Sequence, residues 1–287
     1  LGGKSMLSNP RGVAWGPDRI YVADTGKDRI RVFDGAGALV ATYGASSGPL
    51  KFGQPWGVAV DAAGNIYVAD AGKKRVVKLA PNGTYLTEYG GTGVLKKPVA
   101  VALVPGKILV GDAKAGELVA FAPDGTVLER VALLDGPLSP PDPNDTSDDV
   151  RPMALAAAAA GNVWVADARG GQALKYTPAL AWAQTIGGFK RPGGIAVTPS
   201  GSVVAVSEAG KHRLSTYDAV LGARLAVWGE QGVIKENKAL PAELLLKSPA
   251  QLAFTAGGNL LVADRGNDMI QGFGLPGTPL VAAMAGG

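Results

Sequence analysis

The chain has 287 residues, 47% of them hydrophobic, with 42 glycines and 20 prolines, a composition that favours a folded protein with many tight turns over disorder. Its formal net charge is +4 and its isoelectric point is about 9.2; this permits an acidic partner, although a strong nucleic-acid binder would carry denser clusters of Lys and Arg. Cysteine is absent and histidine occurs once, which excludes disulfides, thiolate nucleophiles and zinc sites built from cysteines or several histidines.

Six similar segments follow one another along the chain. They cover residues 9–44, 54–90, 97–132, 151–187, 191–229 and 248–287. Segment two illustrates the pattern: it predicts strands at 57–60, 66–70, 75–80 and 84–89, separated by turns rich in Gly, Asn and Pro. Repeats of about 40 residues with four strands each are typical of propeller blades. The sequence therefore predicts an all-β fold, a six-bladed β-propeller with four antiparallel strands per blade, as a single domain over 1–287.

The first strand of each segment has a fixed order of side-chain sizes. A small residue comes first in most repeats, a large apolar residue second and alanine third. The large residues are Val13, Val58, Val101, Leu155, Ile195 and Leu252. Because successive side chains of a strand point to opposite faces, each blade should present a large face to one neighbour and a small face to the other, and six such contacts close a ring.

The two ends of the chain leave the closure of this ring open. The last segment predicts its own fourth strand at 279–284, and residues 1–8 look too short to exchange a full strand. The N-terminus lacks the form of a signal peptide and does not begin with Met, as expected of a processed chain or part of a longer one. No apolar run reaches the ~18 residues of a membrane span.

The repeated motif resembles a known family. Pro-x-Gly-Val-Ala-Val over 55–60, Gly-Asn-Ile-Tyr-Val-Ala-Asp over 64–70, a basic turn and a final hairpin are similar to the NHL repeat. The resemblance covers nearly the whole chain and implies a six-bladed propeller. NHL-like propellers include RNA-binding and protein-binding domains, extracellular sensor domains and a few enzymes, so the resemblance is specific for fold and weak for function.

One face of the predicted ring is basic. The turn between the second and third strands and the connection into the next first strand lie at the same end, which we call the top face. Lys and Arg recur in both places, as expected of an anion-binding face. The alternative is that these cations are simply solvated or pair with the acid that ends each second strand. The candidate ligand-binding residues are Arg11, Trp56, Lys73, Lys97, Arg151, Arg191 and His212.

Trp56 is unusual because the other repeats carry Arg, Val, Met, Gly or Ala in its place. An exposed indole beside Arg11 could stack on a ligand or anchor a partner. The alternative is that it packs at the mouth of the axial channel.

Two insertions lie in connections to the top face. The first, 133–150, is rich in Pro and acidic, and it is the one place where calcium could bind, although its spacing matches no EF-hand and a solvated loop is favoured. The second, 230–247, contains Leu240 and Leu244 at helical spacing, which predicts a short helical turn.

Evidence for catalysis is weak in the sequence. The acids Asp24, Asp70, Asp112, Asp167, Glu208 and Asp264 recur once per repeat, which favours a structural role in accepting backbone N–H bonds. Among propellers that resemble this fold, amidating lyases bind zinc through several His, gluconolactonase relatives hold calcium on the axis, and streptogramin-type lyases need a catalytic His. This chain offers only His212 and an apolar set of axial residues in which Gln251 is the one polar member.

The sequence thus predicts a non-catalytic binding or scaffolding propeller whose basic top face engages a protein, a glycan or another acidic partner, with nucleic acid not favoured. The alternative is a metal-dependent lyase or hydrolase with a site on the top face. No catalytic residue or cofactor is predicted. Sequons at Asn82 and Asn144 predict N-glycans if the chain is secreted, and an extracellular or periplasmic location is expected.

Overall fold

The computed structural model describes residues 6–44, 47–133, 152–231 and 245–274. Each repeat forms one antiparallel sheet whose strands lie side by side in sequence order. Short hairpins with glycine or Asp at their tips make this the simplest pairing for the chain. Blade 1 contains β1 (Pro10–Gly16), β2 (Arg19–Asp24), β3 (Arg29–Asp34) and β4 (Leu39–Tyr43). Blade 2 contains β5 (Pro55–Val60), β6 (Ile66–Asp70), β7 (Arg75–Leu79) and β8 (Tyr85–Gly90).

The other blades repeat this order. Blade 3 contains β9 (Pro98–Val104), β10 (Lys107–Asp112), β11 (Glu117–Phe121) and β12 (Val127–Ala132). Blade 4 contains β13 (Ala154–Ala157), β14 (Val163–Asp167), β15 (Gln172–Tyr176) and β16 (Trp182–Gly187). Blade 5 contains β17 (Pro192–Val197), β18 (Val203–Glu208), β19 (Arg213–Asp218) and β20 (Arg224–Trp228). Two short strands, β21 (Glu230–Gln231) and β22 (Leu245–Leu246), then pair in parallel.

Blade 6 contains β23 (Pro249–Phe254), β24 (Leu260–Asp264) and β25 (Met269–Phe273). The fourth strand predicted at 279–284 lies outside the described residues, as do residues 134–150 of the acidic insertion and the helical turn expected near Leu240. Helical structure in the described residues consists of short 3₁₀ turns such as Thr25–Lys27 and Ala71–Lys73. No helix in this part of the chain has the length and apolar character needed to cross a bilayer.

The six sheets form a closed ring. The first strand of each blade contacts the first strands of both neighbours, and β23 of blade 6 contacts β1 of blade 1. Six hydrophobic clusters fill the spaces between consecutive blades. Val13 packs against Leu261 and Ile270 of blade 6, whereas Ala14 packs with Val58 of blade 2. The predicted six-bladed propeller, with a large face toward one neighbour and a small face toward the other, is confirmed.

The small position before each large residue lets neighbouring strands approach closely. A Cβ atom added at Gly194 would lie 2.1 Å from the backbone oxygen of Ala250 in the next blade, and one added at Gly12 would lie 2.1 Å from the oxygen of Trp56. These contacts are too short for any side chain. Glycine in this column therefore sets the distance between the first strands around the axis.

Among the described residues, packing and a hydrogen bond join blade 6 to blade 1. Leu7 is buried in the cluster between blades 6 and 1. The backbone N–H of Asn9 donates to Oδ1 of Asp268 at 2.6 Å, a contact that spans 259 positions of the sequence. The chain start thus fastens the last described blade to the first.

Candidate functional site

The top face is defined by backbone contacts between its two sets of loops. The turn after each second strand hydrogen-bonds to the segment that enters the first strand of the same blade or of the next one. Examples are Gly26 N to Ser8 O at 2.8 Å, Gly72 N to Gly53 O at 2.6 Å and Gly266 N to Lys247 O at 2.8 Å. The two loop sets therefore lie at one end of the ring, as predicted, and the other hairpins lie at the opposite end.

Exposed cations occur on the top face in every blade. The exposed Lys and Arg in these turns and segments are Lys27, Lys51, Lys73, Lys74, Lys96, Lys114, Arg169, Lys190, Arg191, Lys211 and Lys247. The acids in the described parts of the same loops are Asp28, Glu230 and Asp268; Asp28 accepts a backbone hydrogen bond from Gln54, and Asp268 accepts one from Asn9. Exposed cations therefore outnumber acids in the described top loops.

The opposite face has the reverse character. Its hairpins, as far as the structure describes them, contain Asp18, Asp61 and Asp124 and no Lys or Arg. The nearest cations there are at strand ends, where Arg19 and Arg224 are exposed. Among the described loops, the excess of cations is therefore on the top face and the acidic hairpins are at the opposite end.

The acids that end the second strands explain why some of the Lys and Arg residues recur on the top face. Asp24, Asp70 and Glu208 are fully buried and pair with an arginine five positions later: Arg29 at 2.6 Å, Arg75 at 3.4 Å and Arg213 at 2.6 Å. The alternative interpretation, in which basic residues pair with these acids, is correct for the three arginines. Lys211 also approaches Glu208 at 3.4 Å.

These buried acids do more than shape the turn that follows them. Asp24 accepts the backbone N–H of Ser8, Asp70 that of Gly53, and Asp112 those of Lys96 and Lys97. Each carboxylate therefore fastens the segment that enters its blade to the end of the second strand. The predicted structural role in accepting N–H bonds is supported, with the entering segment as a main donor.

Burial and hydrogen-bond donors act in opposite directions on the pKa of these acids. Burial would raise the pKa of Glu208, but hydrogen bonds from Arg213 and the Lys190 backbone outweigh it, so its pKa is lowered. Asp264 has only neutral donors, Asn267, Gln271 and the Lys247 backbone. Burial consequently raises the pKa of Asp264 to about 6.

Trp56 lies at the top of the axis beneath two cations. The guanidinium carbon of Arg11 is 3.9 Å from the centroid of the indole, and Nζ of Lys97 is 4.9 Å from it. The indole is only 8% exposed and belongs to a hydrophobic cluster with Val99. The expectation of an exposed indole is wrong, because side chains from blades 1 and 3 cover it; the alternative of a packed tryptophan at the channel mouth fits the structure.

A second pair of cations adds to the positive potential of the top face. Burial lowers the pKa of the Arg265 guanidinium, and the charge of Arg191 lowers it further. Arg191 itself is exposed, as is Lys73. Arg151 lies outside the described residues. The role of these residues in ligand binding stays a prediction.

His212 makes a structural contact between blades. Its Nδ1 accepts a hydrogen bond from the backbone N–H of Ser248 at 3.0 Å, which links blade 5 to blade 6. Burial, with the charge of Lys247, lowers the pKa of the imidazole. Asp28 and Asp268 hold the same place in blades 1 and 6, and all three have a left-handed backbone, with φ of 54°, 49° and 54° in that order. Sequence reasoning missed Asp28 and Asp268, although a side chain that can accept a hydrogen bond is visible at this position in repeats one, five and six.

The axis opens at the other end of the ring. A cavity of about 210 Å³ is lined by the first strands of all six blades, including Val58, Leu155 and Leu252. Gln251 supplies the polar side chain there, and its Nε2 lies 3.5 Å from the oxygen of Val58. Within residues 6–44, 47–133, 152–231 and 245–274, no group of three or more His, Asp or Glu is placed to hold a metal ion.

Asn82 is exposed in the hairpin between β7 and β8, where its Oδ1 accepts the N–H of Thr84. Asn144 lies outside the described residues. Glycans at these two sequons stay a prediction.

Comparison with known families supports the repeat assignment. A family model described as the NHL repeat matches residues 52–79, from the segment that enters blade 2 to the end of β7. The chain is a six-bladed β-propeller that carries an NHL repeat. Comparison with curated proteins gives no significant match to this chain.

Several solved structures share the fold. Virginiamycin B lyase from Staphylococcus aureus is 13% identical with a TM-score of 0.63, and the match covers 98% of this chain and 88% of that one. A structure of the nidogen/laminin complex is 18% identical with a TM-score of 0.62, covering 76% and 79%. Hydrazine synthase from Kuenenia stuttgartiensis is 14% identical with a TM-score of 0.63, covering 95% and 78%. These identities establish the propeller fold alone.

Proposed function

We propose that this NHL propeller is a binding or scaffolding protein whose top face engages an acidic partner. The observation that carries the proposal is the separation of charge between the two ends of the ring. Exposed Lys and Arg occupy the described top loops of every blade, whereas the charged residues in the described hairpins of the opposite end are acids. A surface of one sign attracts partners of the opposite sign and accelerates their association.

The arrangement of the top face suits binding. Buried carboxylates such as Asp24 and Asp70 hold its loops in place, so the exposed lysines extend from a rigid support. A preorganised surface loses less conformational entropy when it binds. A chain of the nidogen/laminin complex has the same fold and takes part in a protein assembly. This fits a binding role without identifying a partner for this chain.

The test compares two triple variants that each remove three charges. Lys27→Gln, Lys74→Gln and Lys114→Gln alter the top loops of three blades; Arg19→Gln, Lys107→Gln and Arg224→Gln alter strand ends at the opposite end. The probe is fluorescently labelled poly-L-glutamate, measured by anisotropy at rising salt. At roughly 0.5 kcal/mol for each exposed contact, the top variant should bind about tenfold more weakly, and the control variant should bind like the wild type. Equal loss in both variants, or an affinity that ignores ionic strength, would contradict the proposal.

Elemental analysis of the same preparations distinguishes the enzymatic alternative. A stoichiometric metal ion together with a metal-dependent rise in melting temperature would support a metal-dependent lyase or hydrolase in place of a purely binding role.

A further inference from the structure

The described top loops lack the exposed large hydrophobic side chains that most macromolecular partners require. Every large hydrophobic residue that is exposed in the described part of the chain lies on a fourth strand or in the hairpin before it, away from the top loops. They are Leu39, Val40, Leu86, Val127, Leu128, Trp182, Val220, Leu221, Leu225 and Val227. Trp56 is on the top side, but Arg11 and Lys97 lie against it.

This absence weighs against two classes of partner among the described loops. Single-stranded nucleic acids bind by stacking bases on exposed aromatic rings, and the described top loops present none. Protein interfaces depend on aromatic or aliphatic anchors that fill pockets. What the top face offers instead is a set of flexible point charges.

The proportion of lysine to arginine on the top face narrows the class of partner further. Nine of the eleven exposed cations named for the top face are lysines, and Arg169 and Arg191 are the arginines. The lysine ammonium is a compact, strongly hydrated charge on a flexible stem, whereas arginine is favoured where planar carboxylate or phosphate groups are bound through two parallel hydrogen bonds. A lysine-rich surface suits acidic groups that approach from several directions.

The distribution of these lysines around the ring sets the shape of the partner. Lys27, Lys74, Lys114 and Lys211 are in the turns of blades 1, 2, 3 and 5, and Lys247 enters blade 6. A straight, rigid duplex contacts only part of a circular rim. A flexible chain that carries acidic groups at regular intervals can follow the rim from blade to blade.

We propose that the ligand of the top face is an acidic polysaccharide whose charged groups are bound by lysines of several blades at once. This inference rests on the proposed function, since it names the class of acidic partner that the same face binds. The binding is electrostatic and polar. Because the sugar units are covalently linked, many weak contacts together give a higher overall affinity. It requires no stacking platform and no apolar anchor.

The experiment uses a heparin dodecasaccharide as the probe, with poly-L-glutamate, a single-stranded oligothymidylate and a DNA duplex of matched charge as comparisons. Affinities are measured at the same ionic strength for the whole chain. We expect the dodecasaccharide to bind at least about tenfold more tightly than either nucleic acid, and the Lys27→Gln, Lys74→Gln, Lys114→Gln variant to lose about tenfold. Lysine acetylation followed by mass spectrometry should show protection of Lys27, Lys74, Lys114, Lys211 and Lys247 together.

Lys78, Lys107 and Lys175 lie away from the top loops and serve as internal controls that should acetylate at unchanged rates. Equal or tighter binding of either nucleic acid, or protection confined to one blade, would overturn the polysaccharide inference while leaving the basic binding face intact. If neither poly-L-glutamate nor the dodecasaccharide binds, the result contradicts both the polysaccharide inference and the proposed function.

Discussion

Gly194 offers a direct test of how closely the blades approach each other. Its position in β17 faces the backbone of β23, and an added Cβ would lie 2.1 Å from the oxygen of Ala250 and 2.8 Å from Cα of Gln251. These are backbone atoms, so no rotation of a side chain can relieve the contact. To reach an ordinary separation of about 3.5 Å, the added Cβ and this oxygen must part by roughly 1.4 Å.

The cost of Gly194→Ala follows from what this movement disturbs. The cluster between blades 5 and 6 contains Leu214, Leu252, Val262 and Phe273. A gap of even about 1 Å between packed side chains removes a quarter to a half of the van der Waals attraction of each contact. Overpacking of a core typically costs about 1–3 kcal/mol of stability. We expect a loss near 3 kcal/mol, equivalent to a fall in melting temperature of roughly 6–12 °C for a chain of this size.

The assay is urea unfolding followed by far-UV circular dichroism, with thermal unfolding as a second measure. Gly257→Ala is the matched control, because its Cβ would have Thr255 Oγ1 at 3.9 Å as its nearest neighbour, and we expect a change within about 0.5 kcal/mol. A Gly194→Ala variant as stable as the control would refute the close approach of these strands and the role assigned to the small column.

The remaining predictions concern charge and burial. Burial raises the pKa of Asp264 from 3.8 to about 6, so keeping this side chain ionised in the folded state costs about 3 kcal/mol. The free energy of unfolding should therefore increase by this amount as the pH falls from 6 to 4. An Asp264→Asn variant should not show the increase. The pKa of His212 is lowered in the folded protein, so its contribution to the free energy of unfolding is present above pH 6.5 and is lost as the pH falls through the folded-state pKa. His212→Ala should be less stable than the wild type by about 1 kcal/mol at pH 7.5 and should lose less stability at acid pH. Equal dependence of stability on pH in the two proteins would contradict the contact with Ser248. Trp56→Ala should cost about 3–5 kcal/mol in urea unfolding because the indole is buried, whereas Trp56→Phe should cost less; an alanine variant as stable as the wild type would mean that the indole is not packed.

Several features could be predicted from the sequence because they are local. The number of blades, the strands of blade 2 and the order of small and large residues around Val13 depend on periodicity and turn chemistry within about 40 residues. The charge of the top face also followed from the repeats, because antiparallel strands in sequence order place alternate turns at the same end.

Other features depended on contacts between blades. Trp56 is covered by Arg11 from the preceding blade and Lys97 from the following one, and no pattern within its own repeat indicates either neighbour. The roles of His212 and Asp268 as acceptors for Ser248 and Asn9 span 36 and 259 positions.

The sequence by itself therefore determined the repeating unit and the end of the ring at which its charges lie. Only the tertiary structure decided which of those charges are committed to contacts and which are exposed. The physical reason is that strand periodicity is encoded in neighbouring residues, whereas the partner of a side chain at the edge of a blade is set by the distance and angle at which the next blade packs.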